Sequence, residues 1–372
     1  MSRGVQLAKR VGRVRPSGIR KIFEIACHQK ELLNLSIGEP DFDVPPAVKA
    51  EAIKWMERGY NKYTPTRGIP ELREAVCGYL RARGVEVEEV LITTGATAGL
   101  LLAMMALVDE GDEVLIPDPY FVAYCNVVRL LGGVPRLIDT YPDFRLREEA
   151  IIAQLSERTK ILLLNTPNNP TGAVYSRQEL QMVARLAQEH GLVVISDEVY
   201  DRFVYDGRQF TSMGEVLPQA LVVNSFSKTG GMTGWRVGYA TGPAPVIEAM
   251  SMLQQYSYVC VNSPAQKAAL VALEVDLSEH LRRCQRKRDL VYAELGKHYS
   301  VPRPEGAFYI FPEAPGGDGD AFVRRAIERG VLVVPGSEFS ARRSHFRISF
   351  AVDEEVLHRA LAIFAEMAQE ER

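Results

Sequence analysis

Three stretches of this chain share one construction: KILLLNTPNNPTG at residues 160–172, LVVISDEVY at 192–200 and ALVVNSFSK at 220–228. Each contains four apolar residues in a row (Ile161–Leu164, Leu192–Ile195, Ala220–Val223) and then passes into small or polar ones. Runs this short, built from Val, Ile and Leu, read as strands buried on both faces. Such strands belong to parallel sheets covered by helices. Working outward, VLIT (90–93), EVLIP (113–117) and VPRLI (134–138) repeat the pattern, and helical stretches at 97–108, 120–131 and 176–190 lie between several of the runs. WRVGYATG (235–242) reads as a further strand. The alternation predicts an α/β domain with a mostly parallel central sheet flanked by helices.

The flanks add to this. Pro46 opens a helix that runs to about Arg58, and Pro70 sits in the first turn of the next, where its missing N–H costs nothing. That helix, ELREAVCGYLRARG (71–84), stops at a glycine. After residue 263 the pattern changes to long amphipathic helices over 263–299, short strands at AFYIF (307–311), VLVVP (331–335) and HFRISF (345–350), and helices at 319–329 and 353–370. The expected division is an N-terminal arm (1–16), a small α+β domain (17–45 with 263–372) and a large domain (46–262). A chain of 372 residues has the length of two to three domains at about 150 residues each.

Composition narrows the function classes. With 47% hydrophobic and 24% charged residues the chain is neither disordered nor fibrous. Its 44 Lys+Arg against 47 Asp+Glu leave a net charge of −3, which speaks against binding nucleic acid by charge. The longest apolar stretch, Ala98 to Val108, falls short of the roughly 20 residues a bilayer needs, and the basic start MSRGVQLAKRVGRVRPSG has no apolar core of a secretory signal. Cys27, Cys77, Cys125, Cys260 and Cys284 are odd in number and contain no C-x-x-C pair, so reduced thiols in a cytoplasmic protein are expected, with no disulfide framework and no metal site.

Ligands of open α/β sheets gather at the carboxyl ends of the strands. Thr94-Gly95-Ala96-Thr97 follows the first run and leads into a helix, a setting in which backbone N–H groups meet an anion or in which glycine merely turns the chain. Thr166-Pro167-Asn168-Asn169-Pro170-Thr171-Gly172 follows the fourth, as a rigid polar loop or a simple turn. Asp197 ends the next, where a carboxylate either meets a cation or caps a helix. Ser225-Phe226-Ser227-Lys228 ends the last, and a lysine at the mouth of a buried site is a nucleophilic amine. Four polar loops at the ends of strands of one sheet point to a common site.

These motifs carry a resemblance. N-x-P-x-N-P-T-G, D-E-V-Y and S-F-S-K-x7-R, spaced 28 residues from Asn169 to Asp197, 31 from Asp197 to Lys228 and 8 from Lys228 to Arg236, are similar to those of the pyridoxal-phosphate-dependent class I aminotransferases of fold type I. Ser36-Ile37-Gly38-Glu39-Pro40-Asp41-Phe42, Tyr63-Thr64-Pro65 and Phe346-Arg347-Ile348-Ser349-Phe350 extend the match to about residues 17–370. With SGIRKIFEIA (17–26) and GEPDF (38–42), the pattern looks closest to the bacterial and archaeal aspartate/aromatic branch.

The resemblance implies the fold type I PLP-transferase fold, pyridoxal 5′-phosphate as cofactor, and a role for each matched residue. Lys228 bonds covalently to the cofactor aldehyde and, once displaced, carries the substrate Cα proton. Asp197 pairs with the pyridine N–H; Tyr200 and Asn169 hydrogen-bond the ring's 3′ oxygen. Backbone N–H groups at Gly95, Ala96 and Thr97, the hydroxyls of Ser225 and Ser227, and Arg236 hold the phosphate, while Phe121 stacks on the ring. Arg347 clamps the substrate α-carboxylate, helped by Gly38 and Asn169. Tyr63 reaches the phosphate of a neighbouring subunit, which implies a homodimer with shared sites. The implied reaction moves the amino group of an α-amino acid (aspartate, aromatic or similar) to a 2-oxo acid such as 2-oxoglutarate. The alternative on the same residues is a C–S β-lyase. A ligand-sensing regulator built on the same fold would need a DNA-binding domain, for which no residues are left. Some bacterial members that favour aspartate carry a Lys where this chain has Ala96.

Overall fold

The computed structural model describes residues 5–14, 16, 18 and 32–370. Much of the stretch SGIRKIFEIA, with Cys27 and parts of the expected arm and small domain, lies outside the described residues.

The strands are β1 (Leu33–Asn34), β2 (Glu89–Thr93), β3 (Glu113–Asp118), β4 (Val134–Asp139), β5 (Thr159–Asn165), β6 (Val193–Asp197), β7 (Leu221–Ser225), β8 (Gly238–Gly242), β9 (Tyr309–Ile310), β10 (Val331–Leu332), β11 (Val334–Pro335) and β12 (Phe346–Ser349). Seven form one sheet in the order β2-β8-β7-β6-β5-β3-β4. Strands β3 to β7 pair in parallel, whereas β8 lies antiparallel to both β7 and β2. The expected fold type I architecture is therefore present, with one reversed strand. The reversal has a consequence for the site: Gly238, the first residue of β8, lies opposite Thr93 and Ser225, the last residues of β2 and β7. Whatever precedes β8 thus arrives at the carboxyl edge of the sheet.

Apolar runs form the sheet interior because helices cover both faces. Helix Gly95–Leu107 is buried on almost every side, with Leu100, Leu102, Ala103 and Met104 inside, as its nearly uniform apolar sequence requires. Helix Arg177–His190 starts at a capping box of Ser176 and Glu179 and stops at Gly191, whose φ of 64° is left-handed. Helix Ala244–Ser257, which the sequence reading passed over, packs on Gly95–Leu107.

Three boundaries differ from expectation. The stretch 120–131 is helical only over Ala123–Leu130, which leaves Tyr120 and Phe121 in the approach loop. Residues 263–299 break into Ser263–Leu273 and Ser278–Leu295, with Asp276 accepting from the Ser278 N–H. The run 331–335 splits at Val333: β10 pairs with β1, while β11 joins β12 and β9 in a separate antiparallel sheet. Helix Ser263–Leu273 packs its alanines (Ala265, Ala268, Ala269) with Val48, Leu72 and Val76 from the helices Pro46–Glu57 and Pro70–Arg81. Among the described residues no helix is long and apolar enough to cross a membrane.

Candidate active site

A cavity of about 340 Å³ opens at the carboxyl edge of the large sheet, between it and the segment carrying β9 and β12. Of the expected site residues, Gly38, Ala96, Thr97, Phe121, Asn169, Asp197, Tyr200, Ser225, Ser227, Lys228, Arg236 and Arg347 line it. Gly95 lies directly against the Arg236 guanidinium. Tyr63 lies outside the cavity and is 86% exposed in the single chain.

Lys228 stands on a one-turn helix, Phe226–Thr229, that starts at the end of β7. Ser225 caps it by accepting from the Ser227 N–H at 3.0 Å, and its hydroxyl also bonds the Ser227 hydroxyl at 2.7 Å. The Lys228 ammonium donates to the Gly38 carbonyl at 2.6 Å. Burial pulls its pKa down to about 8; Glu39 opposes the fall, and Arg347 and Arg236 add to it. A primary amine in this state is close to being a nucleophile at neutral pH.

Asp197 ends β6 and is 4% exposed. Burial raises its pKa to about 6, held back by the Tyr124 hydroxyl at 2.7 Å and the Val199 N–H at 3.3 Å. A buried carboxylate with a hydroxyl as its side-chain partner is suited to a ligand N–H cation. Asn169 is fixed through its backbone N–H to Asn165 Oδ1 at 2.8 Å, and its own Oδ1 accepts from Arg347 at 3.0 Å. That leaves the Asn169 amide N–H₂ as the group with donors to offer.

Arg347, on β12, is 2% exposed. Its Nη1 donates to Asn169, its Nη2 to the Ser36 carbonyl at 2.5 Å, and the guanidinium lies 4.6 Å from the Tyr309 ring and 4.7 Å from Phe339. Its Nε is buried and has no hydrogen-bond partner among the described residues. Burial pushes its pKa down. A buried guanidinium that lines the cavity, with no acidic side chain paired to it among the described residues, fits a ligand carboxylate.

The opposite wall fits a phosphate. Helix Gly95–Leu107 points its unpaired N-terminal N–H groups at the cavity. Gly95 has φ +75°, a conformation that favours glycine, and its missing Cβ leaves the Arg236 guanidinium free to lie against the backbone, where a Cβ would come 2.5 Å from Nη2. Arg236 itself is left-handed at φ 58° and donates to the Thr233 carbonyl at 2.9 Å. It comes just before β8, and the reversed direction of that strand brings it to this edge. Ser225 and Ser227 complete the wall, and the half-buried Phe121 ring meets Tyr124 edge-on at 5.6 Å.

The sequence reading did not single out Tyr124, Asn165 or Tyr309, all of which line the cavity. Asn165 opens the N-x-P-x-N-P-T-G motif, in which the resemblance assigns a role only to Asn169. Tyr124 and Tyr309 had no local signal, since each follows the pattern of an ordinary core aromatic. Among the described residues no cluster of His, Cys, Asp and Glu could hold a metal ion.

The family profile described as "Aminotransferase class I and II" matches residues 30–364. The chain is 36% identical to a probable aspartate aminotransferase of Methanocaldococcus jannaschii, over 97% of this chain and 99% of the relative. It is 38% identical to aromatic-amino-acid aminotransferase 2 of Thermococcus litoralis, over 98% and 99%. It superimposes on the crystal structure of the aspartate aminotransferase from Rhizobium meliloti with a TM-score of 0.93 at 37% identity, covering 98% of this chain and 99% of that one.

Proposed function

The chain belongs to the class I and II aminotransferases, and from that premise we propose that it moves the amino group of an α-amino acid to a 2-oxo acid, with pyridoxal 5′-phosphate held in the cavity. When bound, that cofactor supplies an aldehyde to take up the amino group and an electron-poor ring to draw off charge as the substrate Cα loses its proton. With the cofactor bound, Lys228 would hold the aldehyde through its amine and would carry the proton taken from Cα. Asp197 would face the ring nitrogen and favour its protonated form, and Tyr200 with Asn169 would donate to the 3′ oxygen. Gly95, Ala96, Thr97, Ser225, Ser227 and Arg236 would hold the phosphate, and Phe121 would pack on the ring. Arg347, with Gly38 and Asn169, takes the α-carboxylate and so aims the substrate's Cα at the Lys228 amine.

One observation carries this reading: the half-buried Lys228 amine and the buried Arg347 guanidinium face the same cavity, and neither forms a salt bridge among the described residues. Aspartate and aromatic amino acids are the proposed donors, following the names of the relatives. Ala96 offers no charge to a side-chain carboxylate, so aromatic donors are expected to do at least as well as aspartate. The proposal includes a cytoplasmic homodimer in which the partner's Tyr63 completes each phosphate site; the free thiols Cys77, Cys125, Cys260 and Cys284 and the exposure of Tyr63 support it. It also includes two domains. The packing of Ser263–Leu273 on Pro46–Glu57 and Pro70–Arg81 favours a boundary after Leu273 instead of before Ser263.

The test is a panel of amino acids added to the cofactor-loaded protein, first alone and then with 2-oxoglutarate. An aminotransferase stops at the aminated cofactor until the oxo acid is added. A C–S β-lyase, which no observation here favours, returns to its starting spectrum and releases ammonia.

A further inference from the structure

Tyr309 lies in β9, 1% exposed, in a stretch whose sequence reads as ordinary core. In space it touches three parts of the site. Its hydroxyl is 2.8 Å from the Tyr200 hydroxyl. Its ring carries the Arg347 guanidinium at 4.6 Å. Its oxygen also lies over Gly38, where a Cβ would come within 2.5 Å of it but 3.5 Å from the ring carbon Cζ.

We propose that Tyr309 is a positioning residue that ties the ring-oxygen side of the site to the carboxylate side. The hydroxyl orients and polarises Tyr200, and the ring seats Arg347. This rests on the roles proposed above for those two residues. The chemistry gives the hydroxyl pair a direction. A phenol has one proton, so Tyr200 keeps its proton for the 3′ oxygen only if Tyr309 donates to Tyr200. A donor whose own oxygen accepts a hydrogen bond is a stronger donor.

The two jobs separate by substitution. Tyr309→Phe keeps the ring and removes the hydroxyl. Tyr200 then donates more weakly, the anionic ring oxygen is less stabilised, and the absorbance titration of the Lys228-linked cofactor moves to higher pH, by about half a unit, or about threefold in proton affinity. Arg347 and Asp197, the other charged groups facing the Tyr200 hydroxyl, are unchanged in this variant. KM for an amino acid should stay within about twofold, because Arg347 keeps its seat. Tyr309→Leu removes the seat as well and should raise KM by about 3- to 30-fold. A titration midpoint that stays put or falls in Tyr309→Phe overturns the proposal, as does a KM that rises equally in both variants.

A second measurement needs no cofactor. Gly38→Ala should lower the melting temperature of the apoprotein, because its methyl group meets the Tyr309 oxygen. Gly38→Ala/Tyr309→Phe should recover most of the loss, because the colliding atom is gone. Absence of recovery overturns the placement of Tyr309 even if the wild type transaminates. A wild type that gives no aminated cofactor with any amino acid, while the recovery still appears, overturns the proposed function instead.

Discussion

Arg347 is a buried cation that lines the cavity and has no acidic side chain paired to it among the described residues. Hydrogen bonds to Asn169 and Ser36 and two aromatic rings hold it, and its buried Nε has no hydrogen-bond partner among the described residues. Truncating one member of a buried charge-assisted pair costs roughly 2–5 kcal/mol. Arg347→Ala should therefore lower kcat/KM by about 30- to several-thousand-fold for every amino acid tested, at about 1.4 kcal/mol per tenfold. Arg347→Lys should restore only part, since an ammonium lacks the planar fork. Steady-state kinetics with an amine lacking the α-carboxylate is the control, and equal losses there would remove the clamp role. Lys228 makes the matching statement about stability. Its pKa of about 8 lies below the ordinary lysine value, so the folded apoprotein releases the proton more readily than the unfolded chain. Stability should fall as pH drops from about 10 to 8 and stay at its lower level below that. Lys228→Met should accordingly raise the apoprotein's melting temperature most below pH 8 and progressively less above it. A difference independent of pH would show that the amine is not strained by burial. At this scale much was legible: Lys228 and Asp197 stand in motifs that mark strand ends, and Arg347 stands within the strand pattern Phe346-Arg347-Ile348-Ser349-Phe350. Tyr124 and Tyr309 were not, because a tyrosine among apolar neighbours has the same local pattern whether its hydroxyl meets a backbone carbonyl or a catalytic group.

Among the elements, strand β8 shows how a direction becomes a binding site. Its residues Gly238–Gly242 were recognisable as a strand, but its antiparallel pairing is what delivers Arg236 to the cavity wall proposed to hold the phosphate. A parallel strand at the same place would have started at the other edge. The divided run 331–335 makes a similar point: continuous apolar sequence specifies burial, while the choice between β1 and β12 as partner depends on what surrounds Val333. The helix Arg177–His190 is the opposite case, with its start and stop written locally. Ser176 and Glu179 satisfy each other's backbone N–H groups, and Glu179 also accepts from the Leu146 N–H at 3.0 Å. Ser176→Ala should cost about 1 kcal/mol in denaturant unfolding. Glu179→Ala should cost more, because it removes the acceptor of the Ser176 N–H and also that of the part-buried Leu146 N–H. The reverse order would mean that the link to Leu146 contributes nothing.

For the whole molecule, the exposed aromatic surface is the feature a single chain does not explain. Tyr63 is 86% and Tyr256 85% exposed, with Met252 at 59%. The proposed homodimer covers such surface and brings the partner's Tyr63 to the phosphate, as a two-fold interface requires of both copies. Subunit complementation tests it. Lys228→Ala and Tyr63→Ala homodimers should each be impaired. A hybrid of the two contains one site with an intact Lys228 and, from the other chain, an intact Tyr63. It should regain about half of the wild-type activity per dimer. Hybrids no more active than the average of the two parents would show that Tyr63 serves no neighbouring site.

The sequence by itself determined strands β2 to β8, most of the covering helices and the polar loops at the strand ends, because apolar runs, caps and turns depend on residues adjacent in the chain. It also carried the spacing from Asn169 through Asp197 and Lys228 to Arg236, from which the family could be read. Only the tertiary structure decided the direction of β8, the division of 331–335, and the meeting of Tyr309 with Tyr200, Gly38 and Arg347. The contact between Arg347 and Asn169 spans 178 residues, and that between Arg347 and Ser36 spans 311. Contacts of that kind are set by how sheets and helices pack against one another, and no local pattern records which distant side chain will stand opposite.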